Sequence, residues 1–324
     1  MTKAIRIHET GGPEVLRWED VEVGAPGPGQ VRLTHAAVGL NYIDTYQRSG
    51  LYSLQLPLTL GMEGAGVVEE LGEGVSGLAT GDRVAYATPP PGSYSEARLV
   101  AADRVVKLPD GIDDRTAAAM MLQGMTVQYL IRQTHRVAAG ETVLLHAAAG
   151  GVGLIACQWL KHLGATVIGT VGSAEKAELA RAHGCTHTIN YRDEDFAERV
   201  KELTDGVGVP VVYDSIGKDT FEGSLACLAP LGLMVTFGNA SGPVPAFELG
   251  RLGALGSLFI TRPSLMTYAA KRADLEAMSQ ELFEVVLSGA VKIEINQTYP
   301  LAETAQAHRD LEARKTTGST VLLP

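Results

Sequence analysis

Residues 141–153, Glu-Thr-Val-Leu-Leu-His-Ala-Ala-Ala-Gly-Gly-Val-Gly, place a short strand rich in leucine and valine directly before a glycine turn, and residues 154–163 continue as an amphipathic helix. The small residues fall as Ala148-x-Gly150-x-x-Gly153. A backbone with so few side chains, running through Gly151 and Val152, can approach a pyrophosphate at the helix N-terminus, where the positive end of the helix dipole meets the anion. Alanine in the first slot departs from the usual glycine. Taken alone, the triplet also fits a plain strand-to-helix turn.

The residues that follow favour a dinucleotide. A second apolar strand over 165–171 and a second helix over 173–183 complete a βαβ unit of ordinary length. Chains selective for NAD usually close this second strand with a carboxylate that binds the ribose 2′-hydroxyl, but here it runs into Gly172-Ser173. Lys176, with Tyr191 and Arg192 after a third strand over 186–190, would instead surround a 2′-phosphate with a hydroxyl and two cations, which points to NADPH. The plainer alternative is that Lys176 and Arg192 are solvated surface cations.

At 324 residues the chain exceeds the usual single-domain size, so two domains are expected. Its formal charge of −10 offers no electrostatic footprint for nucleic acid or an anionic membrane. The opening residues carry no apolar signal region and no apolar run is long enough to span a bilayer, so the expected location is the cytoplasm. Cys157, Cys185 and Cys227 are odd in number and widely spaced, and are expected as buried free thiols rather than a disulfide framework or a thiolate zinc site.

Residues 1–122 read as a β-rich domain, with short strands over 4–7, 30–38, 64–71, 82–87 and 94–100 broken by Gly and Pro. Helices over 115–121 and 125–132 follow, and then strands over 143–146, 166–170, 186–190, 209–214, 233–237 and 258–260 alternate with helical stretches. Six parallel strands with helical crossovers make a doubly wound α/β sheet. A helix over 275–288, a segment over 292–299, a helix over 302–313 and a last strand over 319–322 close the chain.

Several long blocks resemble one family: Gly11-Gly-Pro-Glu-Val-Leu16, Asn41-Tyr-Ile-Asp-Thr-Tyr-Gln-Arg-Ser-Gly-Leu-Tyr52, the run from His146 to Trp159, and Thr261-Arg-Pro-Ser-Leu265. On these blocks the chain is similar to zinc-independent medium-chain dehydrogenases/reductases of the bacterial quinone oxidoreductase (NADPH:quinone reductase, ζ-crystallin-like) family. The resemblance implies a GroES-like β-rich catalytic domain over 1–123 and 262–324 and a Rossmann NADPH-binding domain over 124–261. It also implies a homodimer paired along the edges of the nucleotide-binding sheets.

Metal ligands of the zinc-dependent relatives have no counterpart here. Their Gly-His-Glu triplet reads Gly61-Met62-Glu63, their earlier cysteine is replaced around Asn41, and residues 87–96 lack the four cysteines of a structural zinc lobe. His183, Cys185 and His187 lie within five residues of one another but alternate around a strand start, and a structural role is expected for them and for His146. With no Lewis acid encoded, positioning has to suffice, which suits quinones and conjugated enones because they accept hydride directly.

The resemblance carries Asn41, Asp44, Tyr46 and Tyr52 to the cleft wall beside the nicotinamide and Arg262 to the substrate mouth. Asn41 and Tyr46 would hydrogen-bond a quinone oxygen, and Tyr52 would stack on a flat ring or relay a proton; ordinary packing is the alternative for both tyrosines. Ser215 and the Phe237-Gly238-Asn239 segment are placed against the cofactor, as are Thr126, Arg314 and Gly318-Ser319. Many relatives carry lysine where this chain has Gln123, which removes one charge contact to the cofactor. Three readings follow: an NADPH-dependent quinone reductase by hydride or single-electron transfer, an enone or alkenal double-bond reductase, and a non-catalytic NADPH-binding protein. The acidic balance speaks against RNA as a partner.

Overall fold

A computed structural model describes residues 2–324. The chain forms two units, one built from Met1–Met125, Tyr268–Leu287 and Ile293–Pro324, the other from Thr126–Thr267 and Ser288–Lys292. In chain order the first segment contributes β1 (Thr2–Ile7), β2 (Arg17–Val21), β3 (Gln30–Leu40), α1 (Tyr42–Ser49), β4 (Leu58–Thr59), β5 (Glu63–Leu71), β6 (Arg83–Ala87), β7 (Ala97–Ala101), β8 (Val106–Lys107) and α2 (Asp114–Ala118). After α3 (Met121–Tyr129) come β9 (Thr142–Leu145), α4 (Gly151–His162), β10 (Thr166–Val171), α5 (Ala174–Ala182), β11 (His187–Asn190), α6 (Phe196–Leu203), β12 (Val209–Asp214), α7 (Phe221–Ala226), β13 (Leu228–Thr236), α8 (Gly250–Ala254) and β14 (Phe259–Thr261). The chain ends through α9 (Leu265–Tyr268), α10 (Arg272–Leu287), β15 (Ile295–Pro300), α11 (Thr304–Glu312) and β16 (Ser319–Leu323).

In the second unit six strands lie in the order β11-β10-β9-β12-β13-β14, and every pairing is parallel. A sheet covered on both faces by helices needs strands that are apolar throughout, which is why Thr-Val-Leu-Leu and Val-Pro-Val-Val-Tyr-Asp run almost without alternation. Leu144, Ile168, Val212, Phe221 and Met234 form the centre of its core. The strand order reverses between β9 and β12, the point at which doubly wound sheets open a crevice beyond their carboxyl ends.

Helix starts in this unit follow their caps. Ser173 accepts a hydrogen bond from the Lys176 amide at α5, and Asp195 accepts from Ala197 and Glu198 at α6. All six strands are legible in the sequence; the short helices α6 and α7 were not given bounds, although α6 carries Phe196, Val200 and Leu203 on one face.

The first unit holds a sheet in the order β15-β16-β3-β5-β6-β8, with β7 also paired to β3, and a small sheet in the order β2-β1-β4. Strand β16 from the chain end pairs antiparallel with β3, Val321 against Gly39, so the C-terminal segment completes this sheet. One core cluster gathers Ile5, Ile7, Leu60, Tyr94 and Leu322, and a second gathers Val31, Leu33, Val84 and Tyr86. The helix expected over 115–121 is divided: α2 stops at Ala118 and α3 starts at Met121. Among the described residues no helix is long and apolar enough to cross a membrane.

Ile168 is fully buried in β10. Ile168→Ala is expected to lower unfolding stability by about 2–5 kcal/mol, read from the urea midpoint, because the gap cannot collapse between two helix layers. A loss below about 1 kcal/mol would show that the centre of the core lies elsewhere.

Candidate functional site

The second unit presents its loops at the carboxyl ends of β9, β10, β12 and β13. Beyond β9 the chain turns through Ala147, whose φ of 55° is left-handed, to Gly150, whose amide donates to the Ala147 carbonyl at 3.0 Å. A Cβ on Gly153 would stand 2.3 Å from that same carbonyl oxygen, so the third slot tolerates no side chain. Ala148, in the first slot, is fully buried and its amide donates to Thr170 O at 3.0 Å. Gly150 caps α4, and the first-turn amides of Gly151, Val152 and Gly153 have no acceptor within the helix, as at any helix start.

At the end of β10 the structure brings together four of the residues singled out in the sequence. The Tyr191 hydroxyl leans over Gly172, so close that a Cβ there would meet it at 2.6 Å. Ser173 caps α5, and Lys176 lies in that helix's first turn. Arg192, next in sequence after Tyr191, is exposed. No carboxylate closes β10, which ends Thr-Val before Gly172.

Farther along the same crest, Phe237 N donates to Asp214 O at 2.8 Å. Arg262 donates through one terminal nitrogen to Gly238 O at 2.8 Å and to Thr236 Oγ1 at 3.1 Å, so its guanidinium braces the end of β13. Asn239 is half-buried beyond it, and Ser215 follows β12. Thr126 is buried within α3. Among the three-donor stretch 183–187, Cys185 is buried while His187 is exposed. The three cysteines are free and buried.

In the first unit, Asn41 is the pivot. It precedes α1 as its cap, and Asp44 Oδ2 accepts from the Asn41 amide at 2.9 Å. The Asn41 side chain is drawn elsewhere: Nδ2 donates to Glu63 Oε2 at 2.7 Å, and Oδ1 accepts from Gln123 Nε2 at 3.1 Å. Gln123 in turn accepts from the Ser319 hydroxyl at 2.8 Å, so the glutamine that stands where many relatives carry lysine ties β16 to α1. Glu63 Oε1 also accepts from Leu122 N at 2.7 Å, at the start of α3.

A second chain of donors ends on Asp44. Arg48, bidentate to Glu312, lies 2.8 Å from His308 Nδ1; His308 Nε2 lies 3.1 Å from the Tyr94 hydroxyl; and that hydroxyl donates to Asp44 Oδ2 at 2.7 Å. Since Tyr94 has one hydrogen and gives it to Asp44, His308 donates through Nε2 and accepts through Nδ1. Its ring is neutral: burial, with the nearby Arg48 charge, pushes it down to about 3. Asp44 Oδ1 is buried without a hydrogen-bond partner.

Burial pushes the Asp44 carboxyl up to about 7, against the pull of its two donors. It pushes Glu63 up to about 8, and the neighbouring Asp44 adds to that rise. Neither contact chain was legible in the sequence, because their side chains meet across 22–264 residues, from Asn41–Glu63 to Arg48–Glu312.

Of the two tyrosines expected beside the nicotinamide, Tyr46 lies on α1 and Tyr52 just after it. Tyr46 and Tyr52 meet edge to face with centroids 5.4 Å apart, and Tyr42 lies 6.1 Å from Tyr46. Arg314 is exposed after α11 with a left-handed φ of 58°, and Gly318 precedes β16. Among the described residues no three His, Cys, Asp or Glu side chains gather in a way that would hold a metal ion.

The raised Asp44 value means that the folded chain holds this proton more tightly than the unfolded chain does. The associated stability is full below 3.8 and is lost as pH rises through about 7. Asp44→Asn keeps an acceptor for Tyr94 and Asn41 and removes the titration. Its melting temperature relative to the parent chain is therefore expected to climb across that window and level off above it. A difference that stays flat with pH would mean that Asp44 ionises as an exposed carboxyl does.

Comparison with known proteins agrees with this architecture. Residues 27–110 match the alcohol dehydrogenase GroES-like domain and residues 151–284 match the zinc-binding dehydrogenase family. The chain is 58% identical to a quinone oxidoreductase of Pseudomonas aeruginosa, with 100% of both chains covered. It is 50% identical to a 2-haloacrylate reductase of a Burkholderia species, covering 100% of this chain and 99% of that one. The crystal structure of Escherichia coli quinone oxidoreductase complexed with NADPH superposes with a TM-score of 0.98 at 49% identity, covering 99% of this chain and 100% of the other. The chain, with its GroES-like β-rich unit and its Rossmann unit, belongs to the quinone oxidoreductase family of medium-chain dehydrogenases/reductases.

Proposed function

We propose that this protein is an NADPH:quinone oxidoreductase. The observation that carries the cofactor half is the end of β10, where the Tyr191 hydroxyl stands over Gly172, Ser173 caps α5 with Lys176 in its first turn, and the strand closes without the carboxylate that would bind a ribose 2′-hydroxyl. Ala148, Gly150, Gly151, Val152 and Gly153 would take the pyrophosphate, with Ser215, Phe237, Gly238 and Asn239 farther along the crest. Thr126, Asp44, Arg314 and Gly318 complete the proposed cofactor set. When bound, NADPH supplies the hydride.

The chain's own residues bind and orient. Asn41, locked between Glu63 and Gln123, keeps one amide hydrogen to offer a quinone oxygen as charge develops on it. The Tyr46–Tyr52 pair supplies an aromatic surface for a flat ring. Arg262 is proposed to act at the substrate mouth from its brace on Gly238. A second reading, reduction of an activated carbon–carbon double bond, is favoured by the 50% identity to a 2-haloacrylate reductase, whose fold and proposed groups it would share.

The protein is also proposed to be a cytoplasmic homodimer. Edge strand β14 carries Phe259 at 58% exposure, and the same unit exposes Leu249 at 74%, Leu255 and Leu231. Leu231 N donates to Gly256 O at 2.8 Å, so the backbone at Leu231 is tied to that next to Leu255, and β14 is an edge strand of the same sheet.

NADPH oxidation with a chelator present, offered a benzoquinone, a phenanthrenequinone, an enone and a haloacrylate in parallel and repeated with NADH, tests the assignment. NADPH-selective turnover of the quinones is expected, and Lys176→Ala should raise the KM for NADPH about tenfold while moving that for NADH little. Preference for the enone or haloacrylate would move the protein to the second reading, and tight NADPH binding without turnover would overturn both. For the assembly, Phe259→Asp is expected to convert a dimer to monomer in sedimentation; an unchanged sedimentation coefficient would place the interface elsewhere.

A further inference from the structure

Beneath the nucleotide-facing crest lies a buried polar cluster that the proposed reaction does not use. His146, directly after β9, is 1% exposed. Its Nδ1 lies 2.9 Å from Thr170 Oγ1 near the end of β10, and its Nε2 lies 2.9 Å from Ser224 Oγ on α7. Ser224 donates at 2.9 Å to Asp214 Oδ2, the last residue of β12. Asp214 also accepts from Ile216 N at 2.7 Å, Gly217 N at 3.0 Å and Thr220 Oγ1 at 2.6 Å.

The hydrogen count orients the ring. Ser224 has one hydrogen and gives it to Asp214, so His146 Nε2 donates to Ser224 and Nδ1 accepts from Thr170. The imidazole is neutral, its basicity pushed down by burial against the opposing pull of Asp214. Phe196 closes one side edge-on, with ring centroids 5.0 Å apart. One side chain thus joins the ends of three strands, β9, β10 and β12.

The next residue explains why such a join matters. Ala147 holds a left-handed φ of 55°, a conformation that a residue with a Cβ adopts only under constraint. Its carbonyl receives the Gly150 amide and abuts the bare Cα of Gly153. On the far side Ala148 is anchored to Thr170 O, and on the near side His146 N donates to Tyr213 O at 3.0 Å. The strained residue therefore sits between two anchors, and the His146 imidazole fastens the nearer one to its surroundings.

We infer that His146 is a positioning residue: by joining Thr170 to Ser224 and Asp214 it holds Ala147 left-handed and keeps the Gly150–Gly153 backbone preformed for the cofactor's pyrophosphate. The cofactor part of this inference rests on the proposed NADPH reading. Preforming a loop saves the ordering that binding would otherwise require, so the effect falls on affinity and not on the chemical step.

The test separates the two. In the cofactor-free protein, His146→Leu is expected to speed deuterium exchange of the Gly150 amide; unchanged exchange would overturn the clamp whatever the cofactor is. By NADPH fluorescence titration the same variant should bind about tenfold more weakly, equal to roughly 1.4 kcal/mol, with kcat at saturation within about twofold. Ala147→Gly in the His146→Leu background should recover most of that affinity, since glycine adopts the left-handed conformation freely; absence of rescue would overturn the route through Ala147. Should His146→Leu fail to fold, Ser224→Ala keeps the ring and removes its acceptor, and the same faster exchange is expected. A parent chain that does not bind NADPH would refute the cofactor reading, and the exchange measurement alone would then decide the clamp.

Discussion

The Ala147 carbonyl lies 2.3 Å from the point where a Cβ on Gly153 would stand, and this close approach sets how α4 leaves β9. Were the helix to start farther out, its first-turn amides would no longer sit over the end of the sheet. The approach requires a left-handed residue at Ala147, a bare residue at Gly153, and anchors on either side that withstand the strain. Those anchors come from neighbouring strands, through Tyr213 O and Thr170 O. The turn at the head of α4 is therefore a property of three parallel strands held in register, with the glycine motif as its visible part.

The GroES-like unit solves a different problem. It buries Asp44 and Glu63 fully, and leaving an ionised carboxylate in an apolar interior would cost several kcal/mol. Amide and hydroxyl donors from α1, α3 and Tyr94 offset part of that cost, and burial raises both carboxyls to meet the rest. The same donors immobilise Asn41 between Glu63 and Gln123. Rigidity at Asn41 is then a consequence of how the two carboxyls are accommodated, and it reaches the chain terminus through Ser319.

Much of the fold was legible because parallel strands covered on both faces must be apolar throughout, and Thr-Val-Leu-Leu, Thr-Val-Ile-Gly-Thr-Val and Val-Pro-Val-Val-Tyr-Asp are distinctive runs. Short amphipathic elements were harder. The helix α1 starts at a capping pattern, Asn41 with Asp44 three residues on, and α6 is signalled by its Asp195 cap and by Phe196, Val200 and Leu203 on one face, but each spans only eight residues. Of the proposed cofactor residues, Gly172, Ser173, Lys176 and Tyr191 could be named together from the sequence because they flank consecutive strands of one βαβ unit. Arg262 could be named but its brace on Gly238 and Thr236 could not, since that depends on β13 and β14 pairing side by side.

Local chemistry by itself determined the parallel sheet, the glycine turn at the head of α4, the lack of a carboxylate at the end of β10, and an acidic chain with three free thiols. These are properties of residues that act on their immediate neighbours along the chain. Tertiary structure alone decided that His146 would join Thr170 to Ser224, that Tyr94 and His308 would converge on Asp44, and that Gln123 would bind Asn41 and Ser319. Each of those contacts links residues 24–214 positions apart. A buried polar group takes whichever partner the packed core brings within reach, and no local pattern names that partner before the core has formed.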